Sequence, residues 1–149
     1  RKPPQGGGVA LSYWDTSALI PYYLPEEWSD RIQALLLGGE AAISPLVEVE
    51  FFSVLARRVR AEELSRRDAR RVAERFLGHV EEGAYRYLPL EVIHYKVASQ
   101  WLRRFDLPLR APDALHLAVA SQGGIPIVTL DRQMARAAEA LGVEVRLLG

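Results

Sequence analysis

IPIVTLDRQMARAAEALGVEVRLL, residues 125–148, reads as strand, helix and strand in one short run. Ile125 to Leu130 is an apolar, β-prone segment of the fully buried type. Asp131 stands where a helix wants an N-cap, the helix extends through Leu141, and Gly142 stops it. Val143 to Leu148 is the final strand. A strand that must return through a helix before the next strand is the building unit of a parallel sheet.

The same alternation extends toward the N-terminus. Val9 to Trp14 (VALSYW) reads as a strand, Asp15-Thr16-Ser17 as a capping cluster, and ALIPYYL as a helix limited or kinked at Pro21. Trp28 to Leu37 is expected to be helical and to stop at Gly38-Gly39, with a short strand over Glu40 to Ile43. Ser44 then caps a helix that opens with Pro45 and runs to about Arg60. Ser65 and Asp68 have the spacing of a capping pair for a helix ending near Gly78. Tyr85 to Leu90 reads as a strand and Val92 to Phe105 as a helix; residues 107–111 read as a loop, and Pro112 opens a helix through Ser121. Strand and helix alternate throughout, so the fold class is α/β with a largely parallel central sheet.

Bulk properties narrow the class of protein. A chain of 149 residues with 49% hydrophobic and 26% charged residues has the balance of one globular domain with a substantial core. It has no Cys, which leaves neither a disulfide framework nor a thiolate metal site. No apolar run is long enough to span a bilayer, and RKPPQGGG at residues 1–8 lacks the apolar core of a secretory signal. The cytoplasm is the simplest location, with residues 1–8 a flexible tail and 9–149 the folded domain. A net charge of zero argues weakly against a nucleic-acid partner, but its distribution is uneven. Residues 57–75 hold eight arginines and four acids, a surplus of +4 that the rest of the chain offsets. That stretch is either a solvated face with internal ion pairs or a surface for phosphates or an acidic partner chain.

The acids sit where open parallel sheets bind ligands, near the carboxyl ends of strands. Asp15 follows the first strand, Asp131 follows IPIVTL, and Asp113 lies in the first turn of the Pro112 helix. Each alone is explained as a helix cap or first-turn residue. Glu50 lies too far inside SPLVEVEFFSVL, residues 44–55, to cap anything, and its helical neighbours are mostly apolar. Glu48 has a similar neighbourhood, so periodicity does not separate the two. Together, three aspartates and an inward glutamate make a self-repelling cluster that a hard cation would neutralise. Oxygen ligands suit Mg²⁺ or Mn²⁺, whereas zinc is disfavoured without Cys and with no close pairing among His79, His94 and His116. Such a cluster suits phosphodiester hydrolysis.

Four segments carry a family resemblance. WDTSAL, ISPLVEVEFFSVL, APDALHLAVA and VTLDRQMARAAEALGV, in that order, resemble the four motifs of PIN-domain ribonucleases of the VapC toxin type. The resemblance spans nearly all of Ala10 to Leu148, and its register selects Glu50 over Glu48. It implies a three-layer α/β/α fold and Mg²⁺- or Mn²⁺-dependent endoribonuclease activity. It also implies a homodimer and a cognate antitoxin that blocks the site. On this reading Asp15 and Asp113 are the principal metal ligands, and Glu50 and Asp131 complete the acidic pocket. Ser17 and Thr129 could hydrogen-bond to those carboxylates, or simply cap and pack. His116 is expected to be a packed helix residue, Arg132 an exposed arginine beside a cap, and Tyr22, Tyr23 and Trp28 core or interface residues. Two other readings stay open: a PIN nuclease of RNA maturation or decay, and a catalytically silent PIN-like binding module. A receiver-like phosphoacceptor is disfavoured because Lys2 and Lys96 are the only lysines and neither is suitably placed.

Overall fold

The computed structural model describes residues 10–24, 30, 32–33 and 39–149. The tail expected over residues 1–8, Trp28, and most of the helix expected over Trp28–Leu37 lie outside these residues.

Five short strands form one sheet: β1 (Leu11–Trp14), β2 (Glu40–Ile43), β3 (Arg86–Tyr87), β4 (Ile127–Thr129) and β5 (Val145–Leu147). Their order is β3-β2-β1-β4-β5, and every pairing is parallel. Tyr13 lies opposite Ala42 on one side and Ile127 on the other, so β1 is central. The chain leaves β1 toward β2 and later returns to add β4 on the opposite side. The order therefore reverses between β1 and β4, which in open α/β sheets is where a crevice opens beyond the strand ends.

The described helices are α1 (Thr16–Tyr23), α2 (Pro45–Arg60), α3 (Arg66–Glu81), α4 (Val92–Leu102), α5 (Ala111–Gly123) and α6 (Arg132–Ala140). α1 packs on α2 and α2 on α3, while α4 pairs with α5 and α6 lies against β4 and β5. This is the three-layer α/β/α arrangement. The α1–α2–α3 layer is closed by aromatic rings: Phe51 and Phe76 stack with centroids 4.4 Å apart, and Tyr23 meets them edge-on at 5.3 and 5.5 Å. Tyr23 is a core residue, and the Arg75 guanidinium lies 5.3 Å from the centroids of both Tyr22 and Tyr23.

Several boundaries differ from the sequence expectation, each for a physical reason. Pro21 does not end its helix; α1 runs on to Tyr23 and stops where Leu24 turns extended. α3 passes through Gly78 to Glu81, and the stop is made instead by Gly83, whose φ of 78° lets its own N–H and that of Ala84 reach back to Val80 and His79. α4 ends at Leu102 rather than Phe105, because Phe105 itself turns left-handed (φ 56°). β3 keeps only Arg86–Tyr87 of the expected Tyr85–Leu90. Ser44 occupies the N-cap position of α2 but makes no cap hydrogen bond with its side chain.

Candidate active site at the carboxyl end of the sheet

Asp15 immediately follows β1 and is 3% exposed. Its Oδ1 accepts from Ala18 N at 3.1 Å, which caps α1, and from Ser17 Oγ at 2.7 Å; its Oδ2 accepts from Thr129 Oγ1 at 2.5 Å. Cap and site are thus the same carboxylate. Burial pushes its pKa above the ordinary value, against the pull of the nearby His116, the two hydroxyls and the Ala18 amide.

Thr129, the last residue of β4, ties the second strand end to the first. Its hydroxyl donates to Asp15 and accepts from Asp131 N at 3.0 Å. Asp131 Oδ1 caps α6 through Gln133 N and Met134 N, and its Oδ2 has no hydrogen bond to a described residue. Ser17 Oγ also accepts from Leu130 N at 3.0 Å. Ser17 and Thr129 therefore do hydrogen-bond to the site carboxylate. Ser17→Ala leaves Leu130 N without its acceptor and Asp15 with two of its three donors. It is expected to lower stability by about 1–2 kcal/mol, read from the denaturant midpoint at constant m-value.

Glu50 reaches the cluster from the interior of α2. Its Oε1 accepts from Thr16 Oγ1 at 2.8 Å and from His116 Nε2 at 2.5 Å, while Oε2 has no hydrogen bond to a described residue. Burial acts to raise its pKa. The hydrogen bond and charge of His116, the Thr16 bond and the Arg110 charge outweigh that effect, and the carboxyl sits below its ordinary value. Glu48 is separated from the cluster: its Oε2 accepts from Tyr87 OH at 3.0 Å, on the surface.

Asp113, in the first turn of α5, has one close partner among the described residues, an ion pair of 3.7 Å with Arg110. Burial raises its pKa most; Arg110 and His116 oppose, and the charges of Asp131 and Glu50 add to the rise. Those like-charge contributions place Asp113 electrostatically with the acids of α2 and of the β4 end. Hydrogen bonds thus tie Asp15 and Asp131 together through Thr129 and Glu50 to α1 through Thr16, while Asp113 is linked to them through charge alone.

A groove of about 370 Å³ leads away from this edge, lined by Thr16, Ser17, Ile20, Glu50, Ser53, Val54, Arg57 and Arg58. It joins an acidic end to two arginines of the basic stretch. Arg132, as expected, is exposed beside its cap.

The donors suit a hard divalent cation in kind: they are carboxylate oxygens, and one oxygen each of Glu50, Asp113 and Asp131 has no partner among the described residues, while like charge from Asp131 and Glu50 helps raise the pKa of Asp113. Among the described residues, no group of three or more His, Asp or Glu side chains is arranged to hold a metal ion. The cluster is open rather than a closed shell.

His116 is a packed helix residue, as expected, and its hydrogen bonds tie it to the site. It is 2% exposed and bridges Glu50 to Tyr13, whose hydroxyl bonds to His116 Nδ1 and to Ser44 Oγ, each at 2.7 Å. Its place one turn after Asp113 on the same helix face was the available signal.

The PIN domain family profile matches residues 12–140. Solved structures share the fold at low identity. VapC20 of Mycobacterium tuberculosis, described as a Sarcin-Ricin loop cleaving toxin, is 19% identical, with 86% of this chain and 95% of that chain covered and a TM-score of 0.67. FitAcB of Neisseria gonorrhoeae is 18% identical over 91% of this chain and 95% of that one, also at 0.67. VapBC2 of Rickettsia felis, solved with a DNA fragment from its promoter, is 12% identical over 93% and 99%, again at 0.67. No curated protein matches by sequence.

Proposed function

This chain belongs to the PIN-domain family, and we propose that it is a Mg²⁺- or Mn²⁺-dependent endoribonuclease acting as the toxin of a toxin–antitoxin pair. The observation that supports the reading is the hydrogen-bonded linkage of Asp15 to Asp131 through Thr129 and of Glu50 to α1 through Thr16, near the reversal point of the strand order, with Asp113 within reach of their charge. These four carboxylates would hold the ion. When bound there, it supplies an activated water and neutralises charge on the phosphate.

The chain's own residues prepare the site. Ser17 and Thr129 fix both oxygens of Asp15, and Thr16 and His116 fix one oxygen of Glu50. Arg57 and Arg58 line the groove with Glu50, its single acid, and would offset that charge toward a polyanionic strand. An antitoxin as partner is supported by the toxin–antitoxin complexes among the similar structures, and a homodimer is the expected assembly. The same site would serve a PIN nuclease of RNA maturation. A silent binding module is disfavoured because all four acids are present. Among the described residues no helix is long and apolar enough to cross a membrane.

The test is cleavage of a mixed RNA pool by the purified chain with Mn²⁺ or Mg²⁺, and again with EDTA. Cutting that requires the metal is expected; cutting that persists in EDTA would overturn the assignment. Arg57→Ala is expected to raise KM roughly fivefold, about 1 kcal/mol, to flatten the salt dependence of binding by about one unit of log–log slope, and to leave kcat nearly unchanged. A salt slope equal to that of the wild type would remove Arg57 from the RNA path.

A further inference from the structure

One buried polar chain is used by nothing in that reading except at its last link. Ser44 and Tyr13 are 0% exposed and His116 2%, and they come from the residue before α2, from β1 and from α5. Oxygen and nitrogen follow one another at 2.7, 2.7 and 2.5 Å from Ser44 Oγ through Tyr13 OH and His116 to Glu50 Oε1. Polar groups in a core cost stability unless each is satisfied. Here each is: no buried side-chain nitrogen or oxygen of the described residues lacks a partner. Ser44 even gives up the ordinary use of an N-cap serine, turning its hydroxyl to Tyr13 instead of to its own helix.

The direction of the last link is set by the carboxylate. An ionised carboxylate only accepts, so His116 Nε2 donates to Glu50. The Tyr13 hydroxyl then bonds Nδ1 on one side and Ser44 Oγ on the other, and as both donor and acceptor it satisfies both. Thr16 donates to the same Oε1, so both donors fall on one oxygen of Glu50 and none of the described residues occupies the other.

We propose that Ser44, Tyr13 and His116 are positioning residues that clamp Glu50 by Oε1 and present Oε2 to a divalent cation in the acidic cluster. The inference rests on the metal-dependent reading above and adds the machinery that aims one of its carboxylates. Partners that orient a metal-binding carboxylate typically change metal affinity 10–100-fold when removed, and a similar range, about 10–100-fold, is expected here.

The test is Mn²⁺ affinity of the full chain by titration calorimetry, for the wild type, His116→Leu, His116→Gln and Tyr13→Phe. His116→Leu should lose about 10–100-fold. His116→Gln should recover most of that, because its amide N–H can stand where Nε2–H stood. Tyr13→Phe, which keeps the ring and removes only the hydroxyl, should fall between. In RNA cleavage, His116→Leu should lower kcat and leave KM unchanged. Wild-type affinity in His116→Leu, or equal losses in the Leu and Gln variants, would overturn the proposal. If His116→Leu does not fold, Tyr13→Phe decides: unchanged Mn²⁺ affinity there overturns it. A wild-type chain that binds no Mn²⁺ overturns the metal-dependent reading itself, a failure visible before any variant is compared.

Discussion

Replacing Asp113 with Asn is expected to reduce RNA cleavage by about 100-fold or more, roughly 3 kcal/mol of lost transition-state stabilisation, with no loss of fold stability. The two halves of that expectation come from the same surroundings. The Asp113 carboxylate accepts no hydrogen bond from the described residues, and its ion pair with the exposed Arg110 is long at 3.7 Å. Its pKa is raised, by burial first, then by Asp131 and Glu50 against the pull of Arg110 and His116. The net shift is upward even though the first turn of α5 favours an anion. A carboxyl with a raised folded-state pKa adds stability below its unfolded value, and that contribution is lost as pH rises through the folded value. At neutral pH the ionised group is therefore a cost, which Asn removes with little change of shape. Cleavage with Mn²⁺ beside a thermal melt in EDTA measures both. Cleavage within about twofold of wild type would sink the assignment, and a markedly lower melting temperature would make Asp113 structural.

Asp15→Asn is expected to abolish cleavage to a similar degree, and to raise the melting temperature in EDTA at pH 7. Asp15 is 3% exposed, and burial dominates its raised pKa. By the same sign rule, the advantage of Asn over Asp is largest at neutral pH. It shrinks as pH falls through the raised value and is gone below the ordinary value of 3.8. Added Mn²⁺ should then stabilise the variant less than the wild type, since a bound ion adds stability only in proportion to its affinity for the folded state. Asp15→Ala separates charge from hydrogen bonding. It strips the acceptor from Ala18 N, Ser17 and Thr129 together, and is expected to cost about 1–3 kcal/mol. An equal melting temperature for the Asn and Ala variants would contradict this account of the site.

Much of this was legible because the determinants are local. Residues 125–148 carry their own strand, cap, helix, stop and strand, and the structure keeps all five with shorter strands. Asp15 and Asp131 were visible as caps and are caps, each at the carboxyl end of a parallel strand, where the proposed site lies. Glu50 and Glu48 could not be told apart by periodicity, since both have apolar neighbours. What separates them is tertiary: Thr16 and His116 for one, Tyr87 for the other. The Ser44–Tyr13–His116 chain was invisible for the same reason. Its links span 31 and 103 residues of sequence, and nothing in a helix or strand pattern encodes which distant hydroxyl a buried imidazole will meet. Ser44 looked like an ordinary cap because its backbone is one.

The pairing of β1 with β4 also bears on when the acidic edge can be completed during synthesis. The bond between Asp15 and Thr129 joins residues 114 positions apart, and Asp131 lies beyond it. A nascent chain ending anywhere before β4 can pair β1 with β2 but has no strand for the other side of β1, and it lacks both Thr129 and Asp131. Contacts this distant in sequence form late and slowly, because loop closure precedes any gain from packing. A ribosome at about 5–20 residues per second takes several seconds to extend the polypeptide from its first acid to its last. During that interval the growing chain lacks β4 and the acid that follows it, so its carboxyl edge stays incomplete.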